Sequence, residues 1–167
     1  MIFGVLSVSA FTTLHVVISL IAIASGAVVL VGMLGSHRLP GWTALFLATT
    51  ILTSVTGFLF PINGFTPALG TGIVSLIVLA IALVALYSRR LAGRWRWIYV
   101  VTAVAALWFN MLVLIVQGFM KVPSLHTLAP QGNEPPFIIA QTVALLVLLA
   151  LGIVAALRFH PTPRGSA

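Results

Sequence analysis

The sequence predicts an all-helical, polytopic membrane protein with five spanning helices, and three observations carry that prediction. The chain is 61% hydrophobic and 5% charged, with mean hydropathy +1.24, whereas a soluble domain carries roughly 25% charged residues. Five segments each supply the about 20 mainly apolar residues that a spanning helix needs, and every proline falls at their ends or between them. Seven of the eight Lys and Arg residues lie on stretches that five crossings would place on one side. Net charge +7 therefore points to helix ends at an anionic lipid surface, and nucleic-acid binding is excluded as the main role. The absence of cysteine excludes disulfides, thiolate metal sites and Cys nucleophiles.

The predicted spans are 7–33, 42–60, 68–88, 97–120 and 137–157, within a single domain covering residues 1–167. Ser7-Val8-Ser9-Ala10 has the small residues of a cleavage site. A secretory signal also needs a basic n-region, so Met1 to Ala10 is read as the uncharged start of the first helix. That helix carries a stripe of Thr12, His15, Ser19, Ala22 and Gly26 at spacings of three and four, which share one face and suit close helix packing. The second helix holds Thr49, Thr50, Thr53, Ser54 and Thr56, hydroxyls expected to bond back to their own turn. Pro67 and Pro136 suit first-turn positions of the third and fifth helices, where a missing N–H costs nothing. The Ala/Leu/Val runs Leu76–Leu86 and Ala144–Leu157 are expected to face lipid or fill the bundle.

Orientation follows from Arg89-Arg90-Leu91-Ala92-Gly93-Arg94-Trp95-Arg96-Trp97, a cationic hinge between the third and fourth spans. By the positive-inside rule it lies in the cytoplasm. Arg38, Arg158 and Arg164 then share that side, and Lys121 stands alone on the other. The N-terminus is thus expected outside and the C-terminus inside. Trp42, Tyr87, Trp95, Trp97 and Tyr99 are expected at the inner interface, and Phe58, Phe60, Phe65, Phe119 and Phe137 at the outer edge.

His15 is the one ionisable side chain well inside a predicted span, roughly 10–13 Å below the outer edge at 1.5 Å per residue. Such groups are costly in hydrocarbon and mark sites by default; the plainer role is a neutral ring that fixes helix register. Asn110 and Gln117, seven apart, share a face of the fourth helix. Gln141 lies one turn into the fifth, and Thr56 near the outer end of the second. These five residues predict a polar pocket in the outer half, capped by the loop Lys121–Pro136 with His126, Gln131, Asn133 and the chain's single acid, Glu134. Pro61–Pro67 forms a shorter turn on the same side.

The chemistry of that pocket suits a lipid headgroup, a quinone or a partner helix, and a second copy of the chain could supply the last. The alternative is a haem b redox protein ligated by His15 and His126. His37 and His160 lie on the inner side, and 22 residues, roughly 33 Å of helix, separate His15 from His37. A His15/His126/Glu134 metal site has suitable ligand types but no tight spacing. No acidic residue lies in a span, which disfavours a proton pump. Hydrolase, Walker and H-E-x-x-H signatures are absent, so no catalytic set emerges.

The stretch Gly41-Trp42-Thr43-Ala44-Leu45-Phe46-Leu47-Ala48-Thr49-Thr50-Ile51-Leu52-Thr53-Ser54-Val55-Thr56-Gly57-Phe58-Leu59-Phe60-Pro61 resembles small uncharacterised bacterial inner-membrane proteins. So do Arg94-Trp95-Arg96-Trp97-Ile98-Tyr99 and the loop from Lys121-Val122-Pro123 to Pro135-Pro136-Phe137. The resemblance implies a bacterial inner-membrane location and no activity.

Overall fold

A computed structural model describes residues 7–60, 64 and 66–161. Phe65, Arg164 and most of the Pro61–Pro67 turn lie outside the described residues. Among the described residues, five helices are each long and apolar enough to cross a membrane. They are α1 (Val8–Leu34), α2 (Pro40–Phe58), α3 (Pro67–Leu83, continued by a π-helical turn Val84–Ser88), α4 (Trp95–Lys121) and α6 (Pro135–Arg158). A short helix α5 (Pro123–His126) lies within the predicted capping loop. In hydrocarbon only a helix or a closed barrel satisfies every backbone polar group, so long apolar runs become helices regardless of their β-branched content.

The sequence supplies the stops and starts. The Ser7 hydroxyl caps α1 by accepting from Ala10 N–H at 3.1 Å, and Thr66 caps α3 through Leu69 N–H at 3.2 Å. Proline occupies the first turns of α2, α3, α5 and α6. The prediction for Pro67 and Pro136 holds, and the predicted spans match the helices to within two residues at each end.

α1 packs most extensively on α2, while α3 and α6 each pack most extensively on α4; α2 also meets α3, and α1 meets α4 and α6. Helices in lipid associate through close contact of small residues, and the α1 stripe does this. Ala22 and Gly26 are buried. A Cβ on Gly26 would stand 2.8 Å from both Leu107 Cδ1 of α4 and Phe46 Cε2 of α2. Gly152 on α6 similarly admits Val104 of α4.

At the arginine-bearing end the hinge folds back on itself. Arg90 and Leu91 both adopt positive φ, 49° and 63°, which is costly for residues with a Cβ. The reversal turns Leu91 into the core. Arg89 stacks over the Trp95 ring at 5.1 Å. Arg96 Nη1 donates to the Phe159 carbonyl at 2.8 Å, tying the start of α4 to the end of α6. His160 N–H donates to Ser36 Oγ at 2.7 Å, tying the same tail to α1.

The aromatic expectation needs one correction. Trp42, Tyr87 and Trp97 are exposed, as interfacial rings should be, but Tyr99 is 2% exposed and belongs to the core. It lies on the α4 face that also carries Ala103, Ala106 and Asn110. The phenylalanines at the opposite end serve packing. Phe60 meets Phe11 and His15, Phe119 meets Phe137 edge-on at 5.5 Å, and Phe58 lies against Gly72.

Candidate functional site

The end of the bundle opposite the arginines carries the residues that the sequence marks. His15 sits on the α1 face that meets α2, half-buried, with Nδ1 2.7 Å from Thr56 Oγ1. Its ring stands edge-on to Phe60, with centroids 5.3 Å apart, and its Cε1 lies along Gly57. Thr56 Oγ1 also lies 2.6 Å from the Leu52 carbonyl. A hydroxyl has one proton. At 2.6 Å that proton must point to the carbonyl, because two bare acceptors would repel. Thr56 therefore accepts from His15, and His15 carries its proton on Nδ1. A charged ring is costly inside a span, and in the neutral ring this proton placement leaves Nε2 as a lone pair; among the described residues the ring's one hydrogen bond is the one at Nδ1.

Asn110 is 8% exposed and donates through Nδ2 to Thr50 Oγ1 of α2 at 3.0 Å. Gln141 Nε2 donates to the Leu112 carbonyl at 3.2 Å, joining α6 to α4. Gln117 is the exception: its Oε1 is buried and has no partner among the described residues. The structure thus brings His15 together with Thr56, while Asn110 and Gln141 each pair with a different neighbour.

The hydroxyls of α2 divide in a way that the sequence did not reveal. Thr49 and Thr56 bond back to Leu45 and Leu52 as expected. Thr50 instead serves Asn110, and Ser54 donates to Ser75 of α3 at 3.3 Å. Thr53 Oγ1, between these sets, is buried without a partner among the described residues, as is Trp108 Nε1 on α4. Pairings across 60 and 21 residues leave no periodic trace, so only contact geometry finds them.

The loop after α4 is more ordered than its length suggested. α5 packs on α4, Ala129 is buried, and His126 Nδ1 lies 3.3 Å from the Phe119 carbonyl. Glu134 turns back on its own loop, its two carboxylate oxygens accepting from Gln131 N–H at 2.9 Å and Asn133 N–H at 3.0 Å. Those amides, Gln131 first, hold its carboxyl below the usual value. A carboxyl whose folded pKa is depressed contributes order above its unfolded pKa, about 4.3, and loses it as pH falls through the lower folded value. Amide protection at Gln131 and Asn133, corrected for intrinsic exchange rates, should therefore fall a few-fold as pH drops from about 5 to about 3. Glu134→Ala should abolish the protection at every pH. Equal protection in wild type and variant would show that the carboxylate does not hold the loop.

Among the described residues no group of three or more His, Asp or Glu side chains gathers as a metal site would require. A concavity of about 440 Å³ lies at the other end, between the α1–α2 connection, the π turn and the end of α6. His37, Arg38, Thr43 and Tyr99 line it. The sequence does carry a signal for it, His37-Arg38 beside a helix start. The chain matches no family model, no curated protein and no solved structure, so its residues alone carry the functional reading.

Proposed function

We propose that this five-helix membrane protein is a binding or accessory protein. Its site in the outer half, at His15, takes a donor-bearing headgroup: a lipid hydroxyl or ammonium, a quinol, or a polar side chain on a partner helix. The observation that supports it best is the His15 Nδ1–Thr56 Oγ1 contact of 2.7 Å beside the Thr56–Leu52 bond of 2.6 Å. Together they fix the tautomer and leave Nε2 as an acceptor, and the unpaired Gln117 Oε1 is a second acceptor at the same end. The proposal places the arginine-bearing end in the cytoplasm and the protein in a bacterial inner membrane. Supporting that placement are the seven-to-one distribution of cations and the resemblance described above.

An acceptor discriminates between the redox forms of a quinone, since only the quinol offers an O–H. In detergent, a short-chain quinol should bind the purified protein about fivefold more tightly than the matching quinone, the worth of one hydrogen bond of about 1 kcal/mol. Thr56→Val frees the tautomer and should level that preference, and His15→Leu should remove it. If neither quinone form binds, and His15→Leu retains the same co-purifying lipids as wild type, the site is structural and the proposal fails.

A second reading, haem b held by His15 and His126, has one observation in its favour. Both rings rest Nδ1 against an oxygen, the arrangement that orients a ligating histidine and leaves Nε2 for the metal. Protein expressed with haem supplied should then show a Soret band that His15→Ala removes. A colourless preparation rejects this reading and leaves the first one standing.

A further inference from the structure

We propose that the cavity at the arginine-bearing end is a second binding site, for the phosphate of an anionic amphiphile. Its volume of about 440 Å³ falls within the range of small-molecule sites, about 300–1,000 Å³. Its rim is exposed, formed by the Arg38 guanidinium and the neighbouring His37 imidazole. Its depth is polar as well as apolar. Tyr99 and Thr43, 2% and 7% exposed, bring hydroxyls that lie beside one another, among Met33, Leu91 and Phe159.

Three features make this more than the general attraction of arginines to a lipid surface. The walls are built, because the positive-φ reversal at Arg90 and Leu91 turns Leu91 into the core and presents the Arg90 carbonyl to Arg38 Nη2 at 3.4 Å. That long contact engages one of five guanidinium N–H groups and leaves a fork for an anion. The start of α2 also borders the cavity through Leu39, Pro40 and Thr43. The positive end of its dipole therefore lies at this end and favours negative charge. Finally, no acid competes: Glu134 stands at the far end of α6, 24 residues from Arg158, about 36 Å of helix away. A phosphate at the rim over an apolar floor is the headgroup geometry of a phospholipid, and a free phosphate shares its chemistry.

The experiment uses the full chain in maltoside detergent, with native mass spectrometry under titration by phosphatidylglycerol, by phosphatidylcholine and by phosphatidylglycerol with inorganic phosphate. Wild type should retain the anionic lipid at least tenfold better than the zwitterionic one. Arg38→Gln, and separately His37→Gln, should reduce that preference severalfold without shifting the melting temperature. Arg158→Gln, a cation at the same end outside the cavity lining, should leave it intact. Displacement by millimolar inorganic phosphate assigns a site that reads the free anion, and resistance to phosphate assigns the lipid. Equal retention of the two lipids overturns the proposal. So does an equal loss in Arg158→Gln, which would reduce the effect to surface charge.

Discussion

Gly26→Val should lower the stability of the protein by about 3 kcal/mol, at the upper end of overpacking costs in well-packed cores. The reason is the three-helix meeting at this residue. A Cβ alone would stand 2.8 Å from Leu107 Cδ1 and 2.8 and 2.9 Å from two atoms of the Phe46 ring. Neither neighbour can swing away, since Phe46 is 1% and Leu107 3% exposed. The backbone of α1 must retreat, and with it the packing of α1 on both α2 and α4. Gly41→Ala is the matched control: nothing lies within 4 Å of its would-be Cβ, so it should be neutral or slightly stabilising. Thermal unfolding in detergent, followed by tryptophan fluorescence, separates the two. A Gly26→Val protein that melts with wild type would mean that the helices do not approach this closely.

Arg96→Met should cost about 1.5 kcal/mol, the lower end for a hydrogen bond made by a charged group, because Arg96 is only half-buried. Its 2.8 Å bond to the Phe159 carbonyl satisfies one of the last orphan acceptors of α6 and places a cation at that helix's negative end. The methionine keeps the length and apolar stem of the side chain, so the loss reports the guanidinium. Arg94→Met, exposed in the same hinge, should change stability by less than about 0.5 kcal/mol. Neither change should alter the orientation assigned from reporter fusions at residues 38 and 121, because among the described residues five cations still share one end. Equal melting of the two variants would show that the α4–α6 tie contributes nothing.

The architecture was readable because lipid leaves few options. Once the apolar segments and prolines are counted, helices and their limits follow from backbone hydrogen bonding alone. The α1 stripe was readable too, since a period of three and four places His15, Ala22 and Gly26 on one face in any helix. What could not be read was which helix each face meets. Thr50 looked like Thr49 in the sequence, yet one serves Asn110 and the other its own turn. The hinge misled in a different way. Nothing about Arg90-Leu91 announces a left-handed backbone, and glycine would be the expected residue there. Without that reversal Tyr99 counts as one more interfacial ring, although its register with Ala103, Ala106 and Asn110 already placed it on the inward face.

The two ends of α6 are held very differently. Near the arginines, buried Ala155, Ala156 and Phe159, the Arg96 bond and the Ser36 bond fasten it. Toward Pro135, its residues Ile138, Ile139, Val143, Leu145, Leu146 and Val147 are all exposed, and among the described residues the side-chain hydrogen bond that holds that half to α4 runs from Gln141 to Leu112. The edge-on packing of Phe137 against Phe119 is its other tie there. Loss of the Gln141 latch should therefore loosen the Pro135 end of α6 first and leave the arginine-bearing end fastened.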